Sequence, residues 1–307
     1  MSLLSLILAF LLEQFRPLDA GRWVRAPLGR LASFMEGRFN DGDARHGMIA
    51  WLLVVVPACV LVVAVYLLLH RLQPLLALAF DVLVLYLTMG FRQSSHYFTD
   101  IHLALRMGEL DRARTLIGQW RGHGAERLSS SEVARLSIEE ALLASHRNVF
   151  GIVFWFVLLP GPCGAILYRL ADYFFVQWGK RPDSEFGEFG HFAARAFKVL
   201  NWLPLRMTAV CFAIVGDFED AIYCWRTQSA EWFDESSGIL LASGAGALGV
   251  RLGMPVVESG EIVERPELGL GDDADADFMQ STIGLVWRSL VLCLLLLLLF
   301  WLASLVG

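Results

Sequence analysis

The chain has 307 residues, of which 56% are hydrophobic and only 18% charged, with a mean hydropathy of +0.54 and a formal net charge of -6. A soluble domain usually carries about 25% charged residues, so the composition excludes an ordinary soluble enzyme and predicts an all-α, polytopic membrane protein. The acidic balance, with no Lys/Arg stripe, excludes nucleic acid as a partner. Four of the five cysteines (Cys59, Cys163, Cys211, Cys293) lie in apolar stretches, Cys224 lies outside them, and no pair has C-x-x-C spacing. They read as small hydrophobes, without a disulfide framework.

A lipid-spanning helix needs about 20 mostly apolar residues. In chain order, the apolar stretches are Ser2–Leu12, Met48–Leu69, Leu72–Gly90 (interrupted by Asp81), Asn148–Leu167, Asn201–Gly216 (carrying Arg206) and Ser289–Val306. They predict about six membrane segments, some of them short or kinked. The first has no basic flank and no cleavage site, and is expected to be a retained helix. Pro160-Gly161-Pro162 is expected to break or kink the fourth.

Basic residues set the expected orientation. Segment 13–47 holds Arg16, Arg22, Arg25, Arg30, Arg38 and Arg45, and segment 91–147 holds eight arginines, among them Arg106, Arg112, Arg114 and Arg135. The positive-inside rule then puts both segments in the cytoplasm of a bacterial inner membrane, with both termini outside. Lys180, Arg181, Arg195 and Lys198 in the 171–200 loop run against that assignment. Leu103, Met107, Leu110 and Ala113 follow helical spacing. Ser129 to Glu132 resembles a capping signal. Residues 236–253, rich in Gly and Ala, fit either a close-packed helix or a re-entrant hairpin. Residues 254–287 are acidic and are expected to form a solvated cytoplasmic linker. The whole chain, 1–307, is expected to be a single membrane domain with no internal repeat.

No phosphate-loop, nucleophile-elbow or H-E-x-x-H motif is present. His96 and His102 lie near Asp100, but an i, i+6 spacing sends two helical side chains to different faces, so no metal site is expected. Gly244 to Gly249 is better explained by helix contact than by phosphate binding. Asp81 and Arg206 are ionisable groups inside membrane segments, where such groups face a cavity or a partner. A pair between them is one expectation. An Arg206 side chain reaching out from a span end is another.

The cluster Asn201-Trp202-Leu203-Pro204-Leu205-Arg206 resembles the N-x-[LVI]-P-x-R motif of the CobD/CbiB family, the adenosylcobinamide-phosphate synthases of cobalamin biosynthesis, and their relative AmpE. Further matches are Ala245 to Gly253 with the family's A-G-A-L-G-[IV]-x-L-G, Gly269 to Arg288 with its closing pattern, Tyr168-Arg169 with G-x-x-x-x-x-Y-[KR], and Arg135 and Glu139 with R-x-x-[IV]-E. The resemblance covers most of the chain. In the synthases it implies amide formation between an aminopropanol unit and a corrinoid carboxylate, driven by ATP with Mg²⁺.

The chain departs from the synthase pattern at the acids. Phe15-Arg16-Pro17-Leu18-Asp19 stands in place of G-D-P-x-x-x-x-H-P, Gly122-His123-Gly124-Ala125 in place of G-R-D-T, Ser145 to Phe150 in place of E-N-x-x-D-G, and Phe197-Lys198 in place of a D-D pair. AmpE resembles the chain in that respect. The leading expectation is therefore a non-catalytic, AmpE-like sensor, scaffold or ligand binder in cell-wall or β-lactamase-induction signalling. Membrane or cytoplasmic protein partners, or a second copy, would fit that role. The alternative is the cobalamin enzyme, with ATP/Mg and a corrinoid as cofactor and substrate. In either case the resemblance implies a site with Arg206 binding an anion, Asn201 orienting it, Glu139 as the acid and Arg135 beside it. Asn201 and Pro204 fit equally well as the cap and first turn of a helix.

Overall fold

The computed structural model describes residues 2–15, 26–122, 124–181, 186–258 and 261–306. Arg16 to Asp19, Arg22, Arg25 and His123, used above, lie outside the described residues. In chain order the helices are α1 (Ser2–Phe15), α2 (Ala26–Phe39), α3 (Ala44–Leu72), α4 (Pro74–Thr88), α5 (Phe91–Arg106), α6 (Leu110–Arg121) and α7 (Ser130–Ser145), followed by α8 (Gly151–Leu158), α9 (Cys163–Phe174), α10 (His191–Val215), α11 (Phe218–Gln228), α12 (Glu235–Leu248) and α13 (Ala276–Val306). Short strands β1 (Val250–Gly253), β2 (Val256–Glu258), β3 (Glu261–Val263), β4 (Glu267–Leu268) and β5 (Asp272–Asp273) lie between α12 and α13. The protein is an all-α helical membrane protein. Its chain forms two compact units, Met1–Gly90 with Arg147–Pro204, and Phe91–His146 with Leu205–Gly307.

Apolar helices occupy all six expected stretches, with shifted limits. Four are long and apolar enough to cross a bilayer: Ala44–Leu72, Ser130–Leu158, His191–Val215 and Ala276–Ala303. Leu3–Phe15 and Pro74–Thr88 are shorter. The largest shift is at the fourth stretch. Its helix starts at Ser130, because Ser129 and Glu132 close a reciprocal capping box. Nothing breaks the chain before Leu159, so α7 runs through a π-helical turn (His146–Phe150) into α8. Pro160 to Pro162 then end it, with Gly161 at a φ of 61°.

In the first unit, α3 buries a stripe of Gly47, Ala50, Trp51, Val54 and Val55 near its start. Beyond that it is apolar on every side, with Val60 and Leu61 more than 60% exposed. Its most apolar 18 residues have a mean hydropathy of 3.1 and are only 11% buried within the protein. Exposure of that kind is stable only in hydrocarbon, where the helix satisfies its own backbone. Small residues let neighbours close up. A Cβ on Gly47 would meet the Phe189 carbonyl oxygen at 1.9 Å, and one on Gly164 would meet the Trp155 carbonyl oxygen at 1.9 Å.

In the second unit, residues 236–253 resolve as helix α12 followed by β1. Gly238 to Ala247 are all buried. A Cβ on Gly246 would meet the Asp220 carbonyl oxygen of α11 at 2.4 Å, and one on Gly238 the Ser229 carbonyl oxygen at 2.3 Å. The Gly/Ala run is thus a close contact between helices. Gly249 ends α12 in the left-handed conformation. The segment expected as a solvated acidic linker differs: it is partly folded. β1 pairs antiparallel with β4 (Leu252 opposite Leu268) and parallel with β5 (Val250 opposite Asp272), and β2 with β3 form a separate hairpin. Buried Val250, Leu252, Val256, Leu268 and Ala274 hold it down, while Glu264, Glu267, Asp272 and Asp273 are exposed.

Candidate functional site

In the second unit, the capping box at Ser129 sets the phase of α7. One helical turn apart, Arg135 and Glu139 then share a face, and both are 5% exposed. Glu139 accepts from the backbone N–H of Gly253 at 2.9 Å and from both terminal nitrogens of Arg265 at 2.8 and 3.0 Å. Arg265 also donates to the carbonyls of Gly253 (2.9 Å) and Met254 (3.2 Å) and lies over the Trp232 ring. These bonds hold a tight turn in which Gly253 and Met254 both have positive φ, 73° and 61°. A Cβ on Gly253 would meet the Pro266 carbonyl oxygen at 2.0 Å, so that position requires glycine. Arg135 donates to the Pro255 carbonyl at 3.2 Å and keeps a buried Nε without a partner. Nearby, Arg251 bonds Asp273 at 2.8 Å. Glu139 therefore has both oxygens engaged.

Arg206, in the same unit, stands 3.6 Å from Glu235. In the first unit, the buried Asp81 accepts from the Ser5 hydroxyl at 3.4 Å. Each of the two residues expected to pair has a contact within its own unit.

The first unit brings together motif residues from three stretches. Asn201 is 5% exposed and its side-chain oxygen accepts from the Tyr168 hydroxyl at 2.8 Å. That bond makes Asn201 a tertiary anchor within α10 (His191–Val215), rather than a helix cap. Arg169, next in sequence to Tyr168, donates to the Thr88 carbonyl at 2.6 Å and to the Asn148 side chain at 3.1 Å. Asp172, one turn on, lies 3.6 Å from Arg169, and its Oδ1 is buried with no hydrogen-bond partner. A Cβ on Gly90 would come within 3.5 Å of Arg169 and 3.7 Å of Asn148, ordinary contact distances, so Gly90 lies directly against both side chains.

Sequence reasoning missed Asp172, Asn148 and Arg265. Asp172 was legible as the residue at i+3 from Arg169, and Arg265 as an isolated base within an acidic run. Among the described residues, no three His, Cys, Asp or Glu side chains gather as a metal cluster. A Mg²⁺ ion held chiefly by nucleotide phosphates needs just one or two protein carboxylates. The unpartnered oxygen of Asp172 fits that demand, and Glu139, already saturated, does not.

The CobD/Cbib protein family matches residues 6–286. The chain is 35% identical over 274 residues to the cobalamin biosynthesis protein CobD of Stutzerimonas stutzeri, covering 88% of each chain. It is 36% identical over 217 residues to the protein of the same name from Chromobacterium violaceum, covering 71% of this chain and 69% of that one. The cobalamin biosynthesis protein CbiB of Salmonella typhimurium is 26% identical over 291 residues. No solved structure matches. The leading expectation, an AmpE-like signalling sensor, finds no support in these relatives, which favour the cobalamin alternative. With the family matched over nearly its whole length, this chain belongs to the CobD/CbiB proteins.

Proposed function

We propose that this protein is a cobalamin biosynthesis enzyme of the adenosylcobinamide-phosphate synthase kind, joining an amine to a corrinoid carboxylate as an amide at the expense of ATP. The observation that carries the reading is the buried cluster of Tyr168, Arg169, Asp172, Asn148 and Asn201, of which Tyr168, Arg169 and Asn201 are residues that the family motifs also use, in a chain whose relatives are named for cobalamin biosynthesis. A non-catalytic protein was expected from the loss of the acids in the synthase motifs. Asp172 offers a buried acid outside those motifs.

ATP, when bound, supplies the leaving group that makes the carboxylate reactive. The chain's own residues do the rest. Arg169, held in place by Thr88 and Asn148, presents positive charge to a phosphate or carboxylate oxygen, and its planar fork favours two-point binding. Oδ1 of Asp172 takes a proton from the incoming ammonium, freeing the amine lone pair, and is the carboxylate oxygen that would hold a Mg²⁺ brought in with ATP. Asn201, fixed by Tyr168, orients the substrate. We place the site at the cytoplasmic ends of the spans, where ATP is available, in a bacterial inner membrane with both termini outside.

The test is rescue. Expressed in a bacterium lacking its own synthase, the protein restores cobalamin-dependent growth, and Arg169→Ala abolishes that rescue. Failure of the wild-type protein to rescue, when it is well expressed and membrane-inserted, overturns the reading.

A further inference from the structure

Cys211 of α10 and Cys293 of α13 stand with their sulfurs 3.6 Å apart, although 82 residues separate them in the chain. Both are free thiols within the second unit. Cys211 is 7% exposed and Cys293 is partly accessible from the apolar side of α13, whose neighbours Val291, Leu295 and Leu296 are 58%, 49% and 41% exposed. Those side chains face hydrocarbon if α13 spans the bilayer, so the pair is open to small lipid-soluble reagents and closed to charged ones. Sulfurs in van der Waals contact need only a small rotation of each side chain to reach the covalent distance of about 2.05 Å. Both thiols sit in long helices, α10 of 25 residues and α13 of 31.

We propose that Cys211 and Cys293 are a redox modification site, closed to an intramolecular disulfide by a lipid-soluble quinone. The step is a two-electron oxidation: both S–H bonds break, one S–S bond forms, and the two hydrogens reduce the quinone to its hydroquinone. The product ties α10 to α13 and encloses the segment that carries β1, Trp232 and Arg265. It alters the unit that holds Glu139 without consuming any residue of the proposed synthase site, so it is independent of that reading. A thiol reductant reopens it.

The experiment uses the full-length protein in membrane vesicles and a fully substituted benzoquinone, whose ring has no free position for thiol addition. The variant Cys59→Ala/Cys163→Ala/Cys224→Ala retains only the two thiols in question. After quinone treatment and denaturation, it is expected to lose labelling by a polymer-linked maleimide at both cysteines, to lose two mass units, and to regain both labels after reduction. Adding Cys211→Ser is expected to leave Cys293 fully labelled. In the wild-type protein, peptide mapping shows Cys211 joined to Cys293, a measurement that stands even if the triple variant misfolds. Two thiols that stay fully labelled, or wild-type disulfides joining either cysteine to a different partner or a second copy, overturn the proposal.

Discussion

Glu139 and Arg265 lie 126 residues apart in the chain and meet as a buried, two-pronged ion pair, each with a side chain about 7% exposed. The pair does more than neutralise two charges. Arg265 also binds the carbonyls of Gly253 and Met254, so a single guanidinium links α7 to the positive-φ turn after β1. Removing one partner leaves a buried charge without compensation, which typically costs about 3 to 5 kcal/mol. Glu139→Gln is expected to destabilise the protein by an amount in that range. The double variant Glu139→Gln/Arg265→Met is expected to lose less than the sum of the two single changes. Thermal unfolding in one detergent, run as a double-mutant cycle, measures this.

Tyr168→Phe removes the hydroxyl that donates to the buried Asn201 side-chain oxygen. The expected loss is about 0.5 to 1.5 kcal/mol. In the cobalamin rescue assay, Tyr168→Phe is expected to reduce growth partially, because the phenol orients Asn201 without meeting the reacting atoms. Full growth with unchanged melting would show that the bond is dispensable.

Arg169→Lys keeps the charge and loses the fork that spans the Thr88 carbonyl and Asn148. Lysine cannot reproduce a planar, multi-donor contact. Rescue is therefore expected to fail with Lys nearly as completely as with Ala, at unchanged expression. Asp172→Asn, similar in shape, is expected to abolish rescue while leaving the melting temperature within a few degrees. Retention of activity in Asp172→Asn would remove that residue from the site.

Gly246→Ala forces a methyl group to within 2.4 Å of the Asp220 carbonyl and 2.7 Å of the Ala221 Cα. Neither backbone atom can move without parting α11 from α12. A loss of about 1 to 3 kcal/mol is expected from overpacking. Gly284→Ala, where an added Cβ meets nothing within 4 Å, is the control and is expected to be neutral or slightly stabilising. The two melting temperatures, compared in one detergent, decide it.

Burial pushes the Cys224 thiol up to about 11, with Asp220 adding to the effect. Against an ordinary value of 9.0, the thiolate fraction near pH 8 is lower by about a hundredfold, and the thiolate is the reactive form. Cys224 is expected to resist water-soluble maleimide at pH 8 in the folded protein, to label faster as the pH rises toward 11, and to react at once on denaturation. Prompt labelling of the folded protein at pH 8 would contradict the burial seen here.

The sequence by itself determined that the protein lives in lipid, that it is helical, and roughly where the apolar helices lie. These are local properties: a bilayer imposes about 20 apolar residues on each crossing segment, and 20 residues can be read in one window. The capping box at Ser129 and the break at Pro160 to Pro162 were legible for the same reason, since each depends on neighbours within a few positions. Family motifs were legible as strings, and Arg135, Glu139 and Asn201 were picked out from them. Only the tertiary structure decided what those residues touch. Glu139 was the expected acid, yet an arginine from the acidic segment occupies it. Asp172 drew no notice in sequence, yet it keeps a bare carboxylate oxygen beside Arg169. Cys211 and Cys293 read as two unrelated small hydrophobes, and helix packing sets them in contact. A hydrogen bond or a thiol pair between residues tens of positions apart depends on how helices close on one another. That closure follows from small residues such as Gly246 and from the sum of many weak contacts, which no single window of sequence contains.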